Sequence, residues 1–169
     1  MKGIKFTVDV EKLRECFYVA EEYKKNPEKL LPKRSTKGSA GYDLIMPYDC
    51  NINVDSPGLY ILDTFIKIEV PEDIVAKMYV RSSIGIKKGI VLANGTGIID
   101  SDFKDTIKVP LVKNRISSIS ESFIQGIDNE KPQIHKGDRI VQIVFTKYYT
   151  TEDDITTKER DGGIGSTGK

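Results

Sequence analysis

The sequence predicts an all-β fold, an antiparallel jelly-roll-like β-barrel with an added N-terminal helix. Two observations carry this prediction. Short strand-type runs, separated by Gly, Pro, Asp and Asn, recur between residues 65 and 145, and many short strands at close spacing are typical of barrels and jelly rolls. A helical pattern precedes them, before residue 26. The 169 residues are enough for one domain with a substantial core.

The first 30 residues are expected to form an extension with one amphipathic helix. Apolar side chains recur at helical spacing at Val10, Leu13, Phe17 and Ala20. The pattern stops before Asn26-Pro27, a pair that ends helices. After this extension we expect a barrel domain over residues 31–157 and a flexible glycine-rich arm over residues 158–169.

The strands are predicted from the alternation of apolar and polar residues and from the Gly, Pro, Asp and Asn residues that separate the runs. FIKIEV (65–70) places Ile66, Ile68 and Val70 opposite Lys67 and Glu69, which predicts a half-buried strand. Further strand-type runs occupy residues 74–80, 89–94, 106–112 and 139–145. Pro110 cannot donate to a β-ladder, so its strand is expected at a sheet edge or with a bulge. Residues 117–133 are expected to form a loop with at most one short strand.

Composition excludes several function classes. Lys and Arg total 26 and Asp and Glu total 25, so a net charge of +1 gives no field that favours nucleic acid or membranes. No long apolar run or signal-peptide pattern is present, and a cytoplasmic protein is expected. Cys16 and Cys50 are far apart and are expected to be reduced thiols. His135 is the single histidine, which argues against a His-based triad or a zinc site.

Five stretches carry polar residues that a strand pattern does not require. They are SAGYDL (39–44), RSSIGIKKG (81–89), NGTGIIDSDFKD (94–105), KGDRIVQ (136–142) and the C-terminal GGIGSTGK (162–169). Each alone is compatible with ordinary turn chemistry. In the third, the carboxylates resemble the start of an EF-hand loop, but its sixth and twelfth positions are Asp105 and Leu111 instead of Gly and Glu. An EF-hand is therefore excluded.

Asp100 is the candidate general base in that third stretch. It follows the apolar pair Ile98-Ile99, so its carboxylate is expected to be partly desolvated and able to accept a proton. A purely structural aspartate remains the alternative from this stretch alone.

The C-terminal glycines raise the question of phosphate binding. From Gly163 the chain reads G-x-x-x-x-G-K, but no strand precedes it and no helix follows Lys169, so a P-loop is not supported. A frayed terminus and an arm that orders over an anion both remain open. In the second case Arg160, Ser166, Thr167 and Lys169 would add donors.

Together, the five stretches resemble the motif set of the trimeric dUTPases, in order, over roughly residues 30–169. AGYDL, RSS, NGTGIIDSDF, GDRIVQ and GGIGSTG correspond to the first to fifth motifs. The resemblance implies an antiparallel jelly-roll-like barrel in a homotrimer. It also implies active sites shared between subunits, with the glycine-rich arm of one subunit closing over a site elsewhere in the trimer.

The resemblance implies that Asp100 activates a water that attacks the α-phosphorus of dUTP, giving dUMP and pyrophosphate. Phosphate contacts are implied for Arg81, Ser82, Ser83, Gln142, Arg160, Gly165, Ser166 and Thr167. Contacts to uracil and deoxyribose are implied for Asn94, Gly97, Ile98, Ile99, Phe103, Lys108 and Ile164, with the base read by the backbone of a hairpin. Mg²⁺ is expected to bridge the triphosphate mainly through waters, with Asp43 a candidate for holding that hydrated shell.

The chain departs from the family pattern in four respects. Phe103 replaces a tyrosine, and Lys104-Asp105 replaces Arg-Gly or Gln-Gly. Ile164 replaces a phenylalanine that stacks on uracil, and loss of such a stack costs about 1–3 kcal/mol by analogy with single-strand binding. The spacing from Arg160 to Gly162 is also one residue short. These changes bear on the affinity of the arm and leave the catalytic carboxylate in place.

Two other functions fit the same fold. A dCTP deaminase needs a catalytic glutamate on the strand after the third motif, and Pro110 stands at that position. A non-catalytic nucleotide-binding regulatory module is favoured by Ile164, but it has no need for a carboxylate such as Asp100 beside the phosphates. A structural jelly roll would leave RSS and the glycine-rich arm unexplained.

Overall fold

The structure is a computed structural model, and it describes residues 3–52, 58–113, 133–158 and 160. The strands, in chain order, are β1 Lys5–Val8, β2 Tyr42–Ile45, β3 Cys50–Asn51, β4 Tyr60–Asp63, β5 Ile66–Glu69, β6 Ile74–Val80, β7 Ile90–Leu92, β8 Gly97–Ile99, β9 Lys108–Lys113, β10 Gln133–Ile134 and β11 Arg139–Lys147. The helices are α1 Val10–Glu15 and α2 Glu21–Lys25, with a 3₁₀ turn at Pro27–Leu30 and a π-helical turn at Ser83–Lys87.

The described strands form four antiparallel sheets, which confirms the predicted all-β class. The largest has the order β2-β11-β6-β8, and a three-stranded sheet has the order β4-β9-β7. Two pairs, β1-β5 and β10-β3, complete the set. Their inner faces share one hydrophobic core, which includes Leu44, Ile66, Met78, Ile107, Val109 and Ile143.

The N-terminal segment is more broken than its helical pattern predicts. The one expected helix is two, because the backbone at Cys16 is extended and α2 begins only at Glu21. Phe17, expected on the buried face, is exposed, whereas Leu13 and Val19 are buried. Phe, Tyr and Val, which occupy residues 17–19, are weaker helix formers than Ala or Leu, consistent with a break there.

Strand β1, which was not predicted from the sequence, precedes these helices. β1 pairs with β5 along its length, from Lys5 opposite Glu69 to Val8 opposite Ile66. Asp9 then caps α1, its side chain accepting a hydrogen bond of 3.2 Å from the Lys12 amide. The segment is thus joined to the barrel by backbone pairing as well as by its apolar side chains.

The strand that contains Pro110 lies in the middle of its sheet, so the prediction of an edge or a bulge is wrong. β9 pairs with β4, where Pro110 faces Ile61, and with β7 on its other side. The Pro110 carbonyl accepts a hydrogen bond from Ala93, the residue just after β7 ends. The nitrogen of Pro110, which carries no hydrogen, therefore faces the residue just beyond the end of β7, so no hydrogen bond within the β7–β9 ladder is lost.

The expected loop over residues 117–133 lies outside the described residues, except for Gln133, which begins β10. β10 pairs with β3, and Ile134 is fully buried. Cys16 and Cys50 are both free thiols. Among the described residues, no helix combines the length and apolar character needed to cross a membrane.

Candidate active site

A cavity of about 430 Å³ opens between strand β8 and the sheet that contains β4 and β9. Six of the seven residues predicted to contact uracil and deoxyribose line it, together with one predicted phosphate ligand: Asn94, Gly97, Ile98, Ile99, Phe103, Lys108 and Arg160. These seven residues come from β8, the turn before it, the loop after it, β9 and the C-terminal region. The fold therefore brings the predicted nucleoside contacts into one place.

Apolar side chains form much of the cavity wall. Leu59, Ile61 and Ile98 remain more than half exposed there, whereas their strand neighbours Leu62 and Ile99 are buried. Leu59 and Ile61 were not predicted from the sequence. Their signal was the alternation of GLYIL (58–62), which places them on the face opposite Leu62. Exposed apolar surface in a concave site suits a flat ligand such as a base.

Gly97 lets the backbone of β8 approach its neighbour closely. A Cβ atom there would lie 2.8 Å from Met78 Cε and 3.2 Å from Met78 Cβ, so any side chain would displace Met78 from the cavity wall. β8 pairs only with β6 among the described strands and is the edge of its sheet. Its free edge therefore offers backbone N–H and C=O groups to a ligand.

The segment expected to form a base-reading hairpin has a different topology. β7 pairs with β9 and β8 pairs with β6, so the two strands that flank residues 93–96 belong to different sheets. Gly95, at φ 70°, makes the turn between them, and its amide donates to the Leu92 carbonyl. The predicted residues are adjacent in space, but they lie on a crossing between two sheets.

Asp100 follows β8 directly and is paired with an arginine from the C-terminal region. Arg160 donates to Asp100 Oδ2 at 2.7 Å, and its Nε lies 3.2 Å from Asp102 Oδ1, at ion-pair distance but without hydrogen-bond alignment. Its guanidinium carbon is 5.6 Å from the centre of the Phe103 ring. One arginine thus joins the candidate base to the cavity, and Asp102 is a partner that the sequence analysis did not identify.

The expected desolvation of Asp100 is only partly present in the single chain. Ile99 is buried, but Ile98 is 55% exposed and the Asp100 side chain is 47% exposed. The alternation of β8 turns the two isoleucines to opposite faces, so only one of them points into the core. Of the apolar pair on which the predicted partial desolvation was based, only Ile99 therefore packs into the core.

A second group of predicted residues surrounds Asp43. Asp43 is 7% exposed, and its Oδ1 lies 3.0 Å from Arg81 Nε. Its Oδ2 accepts hydrogen bonds from Ser35 at 2.8 Å and from Arg139 at 3.2 Å. The carboxylate therefore orients the guanidinium of Arg81, the residue that follows the end of β6. Ser35 and Arg139 are contacts that the sequence analysis did not identify.

Gln142 lies beside this group because strand β11 places it opposite Asp43 and Tyr79. A Cβ atom on Gly41 would lie 2.3 Å from Gln142 Oε1 and 3.0 Å from Gln142 Cβ. Glycine at this position in the AGYDL motif thus leaves the space that the glutamine occupies.

Ser82 and Ser83 stand where β6 ends and the π-helical turn begins, and both are exposed. The amides of Ile84 and Gly85 each donate to the Arg81 carbonyl at 2.9 Å. Together with Arg81 and Gln142, these hydroxyls form the polar surface that we refer to as the Arg81 group.

The Arg81 group and Asp100 lie at opposite ends of a strand pair within one chain. In the β6–β8 register, Ala76 is opposite Ile99, so Asp100 falls near Val75, six residues before Arg81. At about 3.4 Å per residue, the separation along the strands is about 20 Å. One chain therefore does not bring all the predicted catalytic and phosphate contacts together.

Comparison with known proteins places this geometry in a family. The dUTPase family model matches residues 28–168. The chain belongs to the dUTPase family. A deoxyuridine 5'-triphosphate nucleotidohydrolase from Finegoldia magna is 36% identical over 145 residues, which cover 82% of this chain and 91% of the relative. The corresponding enzyme from Rickettsia rickettsii is 36% identical over 143 residues, covering 82% of this chain and 88% of the relative.

Solved dUTPase structures share the fold. A dUTPase from Streptococcus mutans gives a TM-score of 0.62 at 24% identity, covering 89% of this chain and 99% of that chain. A mutant dUTPase from phage phi11 of S. aureus, whose structure concerns the coordination of a structural Mg(II) ion, gives 0.62 at 19% identity, covering 95% of this chain and all of that chain.

The cavity wall has no carboxylate at the position that deamination would require. Pro110, at the position where a dCTP deaminase would need its glutamate, lines the cavity and offers no side-chain proton donor or acceptor. The predicted arm contacts Ile164, Gly165, Ser166 and Thr167 lie outside the described residues. Among the described residues, no cluster of three or more His, Cys, Asp or Glu side chains could hold a metal ion.

A larger cavity of about 660 Å³ lies on the other side of Phe103, between β5 and residues 101–104. Side chains of both signs line it, including Glu69, Asp102 and Lys104. Phe103 is the single predicted site residue in its wall, whereas the smaller, more apolar cavity contains seven.

Proposed function

We propose that the protein hydrolyses dUTP to dUMP and pyrophosphate. The observation that carries this proposal is the cavity itself, whose wall contains six predicted nucleoside contacts and whose mouth holds Arg160 against Asp100. Relatives at 36% identity named deoxyuridine 5'-triphosphate nucleotidohydrolase support the same substrate. The neutral side chain of Pro110 in the wall disfavours the deaminase alternative.

The cavity would select a uracil base through backbone groups. Asn94 and the free edge of β8 present donors and acceptors in fixed positions, while Ile61 and Ile98 cover the faces of the ring. A cytosine places a donor where uracil has an acceptor, so it would leave buried polar groups unpaired. Phe103, buried at the cavity wall, would crowd a 2′-hydroxyl and so favour deoxyribose.

Asp100 would act as the general base. Its carboxylate accepts a proton from a water as the water oxygen forms a bond to the α-phosphorus. The bond from that phosphorus to the α–β bridging oxygen breaks, and pyrophosphate leaves with the electron pair. Little covalent chemistry is required of the protein, so positioning and charge stabilisation supply most of the rate.

The Arg81 group would hold the phosphates. Asp43 keeps the Arg81 guanidinium in place through its Nε, which leaves the terminal nitrogens of Arg81 available for a phosphate. Ser82, Ser83 and Gln142 would add neutral donors. Arg160 would exchange its carboxylate partner for the β- and γ-phosphates when the arm, with Gly165, Ser166, Thr167 and Ile164, orders over the nucleotide.

The functional unit would be a homotrimer with shared sites. The separation of about 20 Å between Arg81 and Asp100 along one chain supports this arrangement, because a triphosphate contacts both only if they come from different subunits. The half-exposed Asp100 would then be covered by a neighbouring chain. The free thiols Cys16 and Cys50 suit the reducing cytoplasm, where we place the protein.

Mg²⁺ would accompany the triphosphate. The donors that the described residues offer fit an ion held by phosphates and waters better than an all-protein site, because they form no cluster of metal ligands. The ion would neutralise charge on the phosphates. Both oxygens of Asp43 already have partners, so any contact with the ion would pass through water, as predicted for this residue.

A four-nucleotide assay tests the proposal. We expect pyrophosphate release with Mg²⁺ to be at least about 100-fold faster from dUTP than from dCTP, whose base would leave polar groups unpaired. Release from dTTP and UTP should also be slower than from dUTP, in the case of UTP because Phe103 would crowd its 2′-hydroxyl. A chain truncated after Arg160 should retain little activity, because it lacks the arm. Equal rates on all four nucleotides, or binding of dUTP without product, would reject the proposal, and the second result would favour the regulatory module.

A further inference from the structure

Lys12 of helix α1 reaches into the loop that follows Asp100. Its ammonium lies 2.8 Å from Asp63 Oδ2 and 3.4 Å from Asp105 Oδ1. It also donates to the hydroxyl of Thr106 at 2.8 Å. A single side chain of the N-terminal segment thus contacts β4 and the loop between β8 and β9.

The loop side of this contact is fixed by further hydrogen bonds. The Thr106 hydroxyl, fully buried, lies 2.9 Å from Asp63 Oδ2, and the Thr106 amide donates to Asp105 Oδ1 at 2.7 Å. The other oxygen of Asp105 accepts from Lys108 Nζ. Lys12, Asp63, Thr106, Asp105 and Lys108 therefore form one connected set, the Lys12 network.

The opposite charges in the network shift the pKa values of Asp105 and Lys12. Burial would raise the pKa of Asp105, but the hydrogen bond from Lys108 and the Thr106 amide lower it well below its usual value. Burial would likewise lower the pKa of Lys12, but Asp63 and Asp105 raise it. Both groups are therefore charged at neutral pH and hold each other in place.

The network stands directly behind the cavity wall. Lys108 lines the cavity, and Phe103 precedes Asp105 by two residues in the same loop. Asp105 also occupies a position where the family pattern has glycine. Its φ is not positive, since Phe65 is the one non-glycine residue with positive φ in the described part of the chain, so an aspartate fits without strain.

We propose that Lys12 is a positioning residue for the nucleotide cavity. Its ammonium holds Asp105, which in turn holds Lys108 at the cavity wall and fixes the loop that carries Phe103. Lys12 precedes residue 28, where the match to the family model begins. The N-terminal segment would therefore form part of the active-site support, and Asp105 would be its anchor. The inference rests on the proposed hydrolysis of dUTP.

The test compares Lys12→Met with two reference variants. Lys12→Arg keeps a cation that can reach both carboxylates. Lys67→Met removes a matched ion pair, because Lys67 lies 2.8 Å from Asp9 of the same segment and is 41% exposed, against 40% for Lys12. A loss of N-terminal docking alone would therefore appear in both methionine variants.

We expect Lys12→Met to raise KM for dUTP by about 5- to 10-fold and to change kcat by less than about twofold, because it disturbs ground-state contacts to the nucleoside. Lys12→Arg should recover KM to within about twofold of the wild type, and Lys67→Met should leave KM unchanged. An unchanged KM in Lys12→Met, or an equal rise in Lys67→Met, would overturn the proposal.

Hydrogen exchange of the free protein provides a readout that does not depend on hydrolysis. Faster exchange across residues 100–108 in Lys12→Met, and not in Lys67→Met, would support the positioning role even if the substrate were different. Unchanged exchange there would overturn it. Absence of dUTP turnover in the wild type would instead count against the proposed function.

Discussion

At the scale of single residues, the site depends on two glycines at which a side chain would collide with a neighbouring residue. Gly41 stands where a methyl group would collide with Gln142, and Gly97 stands where one would collide with Met78. Both carboxylate oxygens of Asp43 have partners: one contacts Arg81, and the other accepts hydrogen bonds from Ser35 and Arg139. The AGYDL motif thus supports the Arg81 group in two ways. Gly41 leaves room for Gln142, and Asp43 holds Arg81 by an ion pair.

Gly41→Ala tests this tight contact. The added methyl must push Gln142 from its position beside Asp43, at a cost of about 1–3 kcal/mol in free energy of unfolding, typical of overpacking. We expect KM for dUTP to rise more than in Gln142→Ala, because the displaced glutamine also disturbs Asp43. Thermal unfolding and steady-state kinetics measure the two effects.

The matched control is Gly38→Ala, because a Cβ atom at Gly38 would meet nothing within 4 Å. That variant should behave as the wild type. A Gly41→Ala protein with wild-type KM and stability would show that Gln142 can move without consequence.

At the scale of elements, the strands within clear alternation or apolar runs were predicted, including the three-residue β7, whereas other short strands were not. β5, β6, β7, β9 and β11 match the predicted runs within a few residues. β3 and β10 have two residues each, and β8 has three. Such short strands exist because a partner is present, and a single sequence does not show which partner that is.

The cavity was predicted in part for the same reason. The polar and glycine positions of the cavity were predicted from the dUTPase motifs. The alternation of GLYIL (58–62) puts Leu59 and Ile61 on one face of β4, but only the pairing of β4 with β9 shows that this face lines the cavity. The Lys12–Asp105 contact spans 93 positions, and no local pattern announces it. Contacts between distant segments depend on topology, which the motifs do not determine.

Ile61→Ser tests whether β4 contributes to the cavity. Ile61 is 55% exposed, so the change should alter stability by less than about 1 kcal/mol, as for other partly exposed apolar side chains. It should weaken dUTP binding several-fold, because an apolar face of the cavity is lost. Calorimetric Kd and thermal unfolding separate the two effects.

Tyr60→Phe, on the opposite face of the same strand, provides the control for Ile61→Ser. If Ile61→Ser bound dUTP with the wild-type Kd, β4 would not be part of the nucleoside site.

At the scale of the whole molecule, the distribution of site residues points to more than one chain. The cavity with Asp100 and the Arg81 group lie at opposite ends of the β6–β8 pair. Within the described residues, Arg160 contacts Asp100 of its own chain, and the arm beyond it is where the family pattern expects an exchange between subunits. Shared sites make a clear prediction about mixtures of inactive subunits.

Two inactive variants should restore activity when they assemble together. Arg81→Ala lacks the phosphate contact and Asp100→Asn lacks the base, yet in mixed trimers some sites would combine an intact Arg81 with an intact Asp100. When each site takes one residue from each of two neighbouring subunits, every mixed trimer has one intact site, so about one third of the sites in the purified mixed trimers should be intact. Co-expression with two affinity tags, tandem purification and the pyrophosphate assay measure this fraction.

Each variant purified alone sets the background for that measurement. Activity of the mixed trimers at the level of either variant alone would mean that each site is built within one chain, and the shared-site proposal would fail.

The most direct test of the whole account is the behaviour of Asp100→Asn with dUTP. An amide has nearly the shape of the carboxylate and cannot accept the proton from water, so we expect dUTP to bind with a Kd within about threefold of the wild type while kcat falls by at least about 100-fold, the usual range for loss of a general base. A variant that turns over dUTP at close to the wild-type rate would contradict the assignment of Asp100 and the mechanism built on it.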